Sequence, residues 1–243
     1  MQNKINIIYE NDDFMVIVKP AGLTVNRSDT AKDEQTLQDL VEDLGKIKPD
    51  ASHLEFTNRG GIVHRLDKET SGVMIVAKNS ESFDALQAQF KERRVEKEYI
   101  ALAHGEINPE KGEINVPVGR LPWNRKRFGA LAGGREAQTE YEVIKEYILG
   151  KEILSLVKLH PRTGRTHQIR VHLKFINHPI FGDPLYGGRK TSRDDRKILP
   201  RVFLHAKKIS FFDPRNGEKI EFEAELTPEL LETLDKLMIK KDN

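Results

Sequence analysis

The chain has 243 residues, with 40 Lys+Arg against 38 Asp+Glu and no cysteine, which excludes a disulfide framework, a zinc–cysteine site, an iron–sulfur cluster and a cysteine nucleophile. A hydrophobic fraction of 37% and a charged fraction of 32% fit a soluble globular protein, and the longest apolar runs, such as Val73 to Ala77, are far too short to span a bilayer. The net charge of +2 is unevenly spread: residues 1–58 hold 6 basic and 11 acidic residues, residues 209–243 hold 5 and 9, and the middle therefore carries +11.

In chain order, Ile5–Tyr9 and Phe14–Val18 read as two strands joined by a tight turn, ended by Pro20 and Gly22. Leu37, Leu40, Val41 and Leu44 repeat at helical spacing, which predicts a helix over 36–45 ending at Gly45. Residues 46–61 read as a polar loop. Val73–Lys78 is a β-branched, buried strand, followed by an amphipathic helix marked by Phe83, Leu86 and Phe90 and capped by Asn79 or Ser80. Strands are expected at Val95–Ala103, Ala137–Glu146 and Ile153–Leu159. A short helix over 166–176 follows the Thr163-Gly164 turn, with Ile169, Leu173 and Ile176 toward the core. Val202–Leu204, Lys208–Phe212 and Lys219–Ala224 read as strands, the last two joined by DPRNGE. Thr227 caps a final helix with Pro228 at its first position. Most connections are too short for crossover helices, so the fold class is α+β with a largely antiparallel sheet. The length suits one domain over 1–243, or a domain of two packed halves. The opening MQNKINIIYENDD lacks the basic start and apolar core of a signal peptide, so the cytoplasm is the default location.

Three polar clusters interrupt the apolar pattern. The first is His64-Arg65-Leu66-Asp67-Lys68-Glu69-Thr70-Ser71-Gly72, directly before the buried strand, where a loop carboxylate is held rigidly and can face a cleft. The second is Lys97-Glu98-Tyr99 inside an apolar strand. The third is Thr163-Gly164-Arg165-Thr166-His167-Gln168-Ile169-Arg170, followed by Val171-His172. Taken singly, each has a structural reading. Asp67 can cap a turn or hold Arg65, Tyr99 can be a core aromatic, and Arg165 and Arg170 can form surface ion pairs of little worth. His167 and His172 are five apart with no glutamate between them, which fits metal ligation poorly. His64-Arg65-x-Asp67 is not the kinase HRD, and no GxGxxG, DFG, GxSxG or P-loop is present. Gly119–Arg135 and Lys158–Lys174 contain no acid, which points to a polyanion-binding face.

Together the blocks carry a resemblance. HRLDKETSG with VMIVAKN, then EKEYIALAHG, LHPRTGRTHQIRVHLKFINHPIFGDPLYG and FLHAKKISF are similar, in the same order, to RluA-type RNA pseudouridine synthases, from Ile5 to about Glu225. The resemblance implies that a uridine in rRNA or tRNA is detached from its ribose, rotated and rejoined through carbon 5. It assigns catalysis to Asp67 and stacking on the target base to Tyr99. Arg170 is the partner of Asp67, at the margin of its helix and within about 4 Å of the carboxylate, with Arg165 as the substitute. Arg65 fills the gap left by the flipped nucleotide.

The chemistry suits these residue types. Unstacking a base costs a few kcal/mol, an aromatic platform recovers roughly 1–3 kcal/mol, and a carboxylate can attack carbon or remove a proton without a metal or organic cofactor. Attack at the ribose, attack at the base and elimination through a glycal all stay open. The match leaves no room for the S4-like domain that many relatives carry before the catalytic domain. RNA contacts are therefore expected from the basic segments 119–135 and 189–201, which otherwise read as surface loops, on a monomer that binds RNA and no membrane. Two other classes compete: a non-catalytic RNA-binding or ribosome-assembly protein, and a glycosidase using Asp67 with Glu69.

Overall fold

The computed structural model describes residues 5–27 and 34–240, with the backbone alone at 125 and 126. β1 (Asn6–Glu10) and β2 (Phe14–Lys19) form the expected hairpin. α1 (Leu37–Asp43) starts at Thr36, whose side chain and that of Asp39 close a reciprocal capping box. Residues 46–61 are not all loop: α2 (Leu54–Arg59) lies within them, capped by the His53 ring and stopped by Gly60 in the left-handed region. Its one buried residue is Phe56, so no apolar repeat announces it. β3 (Ser71–Ala77) is buried throughout, and α3 (Ser80–Lys91) is capped by Asn79.

β4 (Glu96–His104) lies where expected. β5 (Lys111–Asn115), β6 (Val118–Leu121) and β7 (Asn124–Ala130) have no counterpart in the sequence reading. Their charged, Gly-containing sequences lack the alternation that marks a half-buried strand. β8 (Gln138–Leu149) and β9 (Glu152–Pro161) form a long hairpin, followed by α4 (Gln168–Phe175). The basic segment 189–201 contains α5 (Arg189–Asp195). β10 (Leu204–Phe212) is one strand where two were expected, and β11 (Lys219–Glu223) pairs with it antiparallel. α6 (Pro228–Asp235) begins with Pro228, but the side chain of Thr227 makes no cap hydrogen bond. β12 (Met238–Ile239) pairs with β8.

The chain divides into two compact units, Met1–Glu96 with Ala206–Glu225, and Lys97–His205 with Leu226–Asn243. In the first, the strand order is β1-β2-β3-β10 with β11 on β10. Its core includes Phe14, Val16, Ile75, Phe83 and Phe211, all essentially inaccessible to solvent. In the second, the order is β4-β9-β8-β12 with β5 also on β8, and β6–β7 forms a separate ribbon. Its core gathers Leu102, Leu154, Leu159, Leu173, Phe181 and Phe203. The architecture is α+β with a mostly antiparallel sheet, as the sequence implies.

Gly72 at the start of β3 shows why the loop before it needs a glycine. Its φ is +123°, and a Cβ there would lie 2.2 Å from the Ala206 carbonyl oxygen on β10. Gly72→Ala is expected to cost at least about 1–3 kcal/mol from the backbone conformation alone. Thermal denaturation should show a midpoint several degrees lower; an unchanged midpoint would mean that β3 and β10 can separate freely.

Candidate active site

In the first unit, the loop carrying Asp67 is tied down on both sides. The His64 ring stacks on Phe90 with centroids 4.6 Å apart. Its Nε2 accepts the Ile75 N–H at 3.0 Å, which places the ring proton on Nδ1. Leu66 is buried. Asp67 opens a turn closed by the Thr70 N–H, which donates to the Asp67 carbonyl at 3.1 Å. The next carbonyl, of Lys68, accepts from the Gly22 N–H at 2.8 Å and from Lys19 Nζ at 3.1 Å.

Lys19 is fully buried and also donates to the carbonyls of Pro20 and Leu23, each at 2.8 Å. Three carbonyls around a buried ammonium replace the water it has lost. They join the Lys19-Pro20-Ala21-Gly22 segment to the turn at Asp67. The sequence reading gave Lys19 no role, although a lone cation ending the run FMVIVK signals a buried partner. Asp67 itself is half-buried and Arg65 is exposed. Such a turn presents a carboxylate in a fixed direction, which general-base or nucleophilic chemistry requires.

In the second unit, Tyr99 lies on β4 opposite Leu159 on β9 and packs half-buried against the core. Strand alternation puts Lys97 on the same face, and burial pushes its ammonium down to about 8. The Thr163–Arg170 segment is a hydrogen-bonded knot. Gln168 Oε1 accepts from the Thr163 hydroxyl at 2.6 Å and from the Arg165 N–H at 3.0 Å. Gln168 Nε2 donates to the Gln138 carbonyl and the Thr139 hydroxyl, each at 2.9 Å. His172 Nδ1 meets the Thr139 hydroxyl and its Nε2 the Val116 carbonyl. Burial lowers its pKa, so it is a neutral structural group.

Arg170 is not at a helix margin: every residue from Gln168 to Leu173 is buried, and Arg170 is 6% exposed. Its Nε and Nη2 donate to Asp183 Oδ2 and Oδ1 at 2.7 and 3.0 Å. This is the bidentate fork that only arginine offers. Asp183 is completely buried, and its Oδ1 also accepts the N–H groups of Leu185 and Tyr186 at 2.9 and 3.1 Å. The Arg170 guanidinium lies 5.1 Å from the Tyr186 ring centroid. Asp183 was missed by the sequence reading; its signal is a single acid in the otherwise apolar and glycine-rich run Ile180–Gly188. Arg165 instead donates from Nε to the Glu136 carbonyl at 3.0 Å. Asp67 and Arg65 thus belong to one unit, and Tyr99 and Arg170 to the other.

The family profile described as RNA pseudouridylate synthase matches residues 13–175, a span that includes Asp67, Tyr99 and Arg170. The chain belongs to this family. An uncharacterized RNA pseudouridine synthase of Aquifex aeolicus is 44% identical over 225 residues, 91% of this chain and 69% of its own length. Ribosomal large subunit pseudouridine synthase D of Neisseria meningitidis is 37% identical over 243 residues, 97% of this chain and 62% of its own length. Among solved structures, human RNA pseudouridylate synthase domain containing 1 superimposes with a TM-score of 0.73 at 28% identity, covering 97% of this chain and 89% of its own. As a member of this family, the chain is an RNA pseudouridine synthase, an isomerase. The other two classes, a binding protein without activity and a glycosidase, are set aside. No helix among the described residues is long and apolar enough to cross a membrane.

Proposed function

We propose that the chain isomerises specific uridines of ribosomal or transfer RNA, with Asp67 as its catalytic carboxylate. The observation that carries this reading is the turn before β3, where the buried Lys19 and the His64 ring hold the backbone on either side of Asp67. A carboxylate so held loses little freedom on meeting the substrate, which is the main contribution positioning makes to rate. Tyr99 supplies a ring face on which the flipped uracil stacks. Arg65, exposed beside Asp67, fills the space that the base leaves. Arg170, forked onto Asp183, is the cation that the family resemblance pairs with the catalytic carboxylate. The reaction breaks the bond from the ribose to nitrogen 1 and forms one to carbon 5; the proton lost from carbon 5 is balanced by one gained at nitrogen 1, a redox-neutral exchange that a base and an orienting cation can support.

Ribosomal RNA is the first substrate to test, because relatives in Neisseria meningitidis and Nitrosomonas europaea carry the name ribosomal large subunit pseudouridine synthase D. Carbodiimide treatment and primer extension on ribosomal and transfer RNA, with the gene deleted and restored, should show one or a few stops that vanish and return. A deletion that changes no stop in either RNA would contradict the reading.

RNA affinity is assigned to the basic middle of the chain. The side chains of Arg125 and Lys126 lie outside the described residues; Arg127 donates from Nη2 to the Leu185 carbonyl. Reversing the charge of Arg125, Lys126 and Arg127 together is expected to weaken RNA binding. It should also flatten the slope of log K against log salt by roughly 0.7–0.9 for each lost phosphate contact. An unchanged slope would shift the RNA face to 189–201, where Arg189, Lys190, Arg193 and Lys197 are exposed.

A further inference from the structure

Trp123 is the chain's one tryptophan, and 77% of it is open to solvent. A tryptophan ordinarily buries a large apolar surface, so its position at a turn tip calls for a partner. With Pro122 it forms the two-residue connection between β6 and β7. Around it the ribbon carries Arg120, Arg125, Lys126 and Arg127, with no acid from residue 118 to residue 130.

The root of this ribbon is fixed while the tip projects. Val118 is buried, and Phe128 packs against the cluster of Val171 and Tyr186. The Phe128 N–H donates to the Tyr186 hydroxyl at 3.1 Å, and the Arg127 guanidinium lies 5.5 Å from the Tyr186 ring centroid. Tyr186 also meets His167 Nδ1 through its hydroxyl at 2.9 Å, so the ribbon is tied to the start of α4. A ring held out on such an arm loses little freedom when something packs on it.

We propose that Trp123 is a stacking platform for an RNA base other than the uridine that reacts, in an unpaired segment flanking it. The inference rests on the chain being an RNA pseudouridine synthase and adds a second contact point to that reading. Single-stranded RNA is the partner that offers both features the tip selects for: phosphates for the surrounding cations and a π-face for the indole. Alternation of these two features is how proteins hold unpaired strands without reading sequence. A ribbon sequence with four cations and no acid is a poor fit for a second copy of itself, because the like charges repel.

The lone tryptophan makes the test direct. The full-length protein is titrated with oligoadenylate of about a dozen nucleotides, a length within the range of single-strand sites and free of any uridine to react. A saturable quench of the indole emission is expected, whereas inorganic polyphosphate should bind without it. Trp123→Ala should bind oligoadenylate roughly tenfold more weakly with the same salt slope, since stacking releases no counterions. Trp123→Phe should retain most of the affinity. The residue is exposed, so these changes leave the core intact. The proposal is overturned if oligoadenylate binds without quenching, if Trp123→Ala binds as the parent does, or if emission shifts with protein concentration alone, which would place copies of the chain against the tip. Pseudouridine formation on ribosomal and transfer RNA is measured in the same preparation. If it is absent, the enzymatic reading fails; if it is present without quenching, only the stacking platform does.

Discussion

Asp67→Asn should form no pseudouridine while folding and binding RNA as the parent chain does. The two side chains have the same shape. The turn at this position is closed by the backbone carbonyl of Asp67 and the Thr70 N–H, a bond that the substitution leaves in place. The neighbouring anchors at Lys19 and His64 likewise bond to backbone groups. Affinity for RNA comes mainly from cations on phosphates, and removing one negative charge does not reduce it. What the amide lacks is the negative oxygen that attacks carbon or takes a proton. Removing such a group costs turnover by at least about a thousandfold, and residual activity above about a tenth of the parent's in a clean preparation would exclude Asp67 as the catalyst. Nucleoside analysis of digested RNA gives the activity, and a filter-binding titration gives the affinity.

Arg170 has the second largest expected effect, and the structure changes how it must be tested. The carboxylate of Asp183 is completely buried and forked by Arg170. Arg170→Ala therefore leaves a buried charge without its counter-ion, which costs about 3–5 kcal/mol of stability. Loss of activity in that variant says nothing specific about catalysis. Arg170→Gln combined with Asp183→Asn is more informative, because it neutralises both partners and keeps a carbonyl oxygen for the Leu185 and Tyr186 N–H groups. The double variant should recover stability to within about 1–2 kcal/mol of the parent. Its turnover should stay down by at least about a hundredfold, the usual effect of losing one oriented donor. Arg170→Lys should also lose turnover, since a point charge cannot replace the planar bidentate fork. Recovery of turnover together with stability would make Arg170 a structural residue only.

The chain's long apolar strands were legible because periodicity and β-branching mark them: β2, β3 and β9 fall within two residues of their expected bounds. The helix at 54–59 was not, because it is one and a half turns long and buries a single phenylalanine. The β6–β7 ribbon was hidden for a different reason. It stands apart from the main sheet, and its charged strands show no alternation that a period-two pattern would reveal. Asp67, Tyr99 and Arg170 stood out only as members of three ordered blocks, since an aspartate in a loop or a tyrosine in a strand is unremarkable alone. Lys19 and Asp183 were passed over because burial makes their roles, and burial of a charge depends on partners far away in sequence: Lys68 for Lys19, and the Arg170 helix for Asp183.

The most direct test of Asp67 as the agent of isomerisation uses ribosomal RNA labelled with tritium at carbon 5 of uridine. Rejoining the base through carbon 5 displaces the hydrogen there, so each pseudouridine formed releases one label to water. With enzyme in excess, the parent chain is expected to release tritium and form pseudouridine in equal amounts, and Asp67→Asn to do neither. Release by Asp67→Asn at a rate comparable to the parent's would contradict the account.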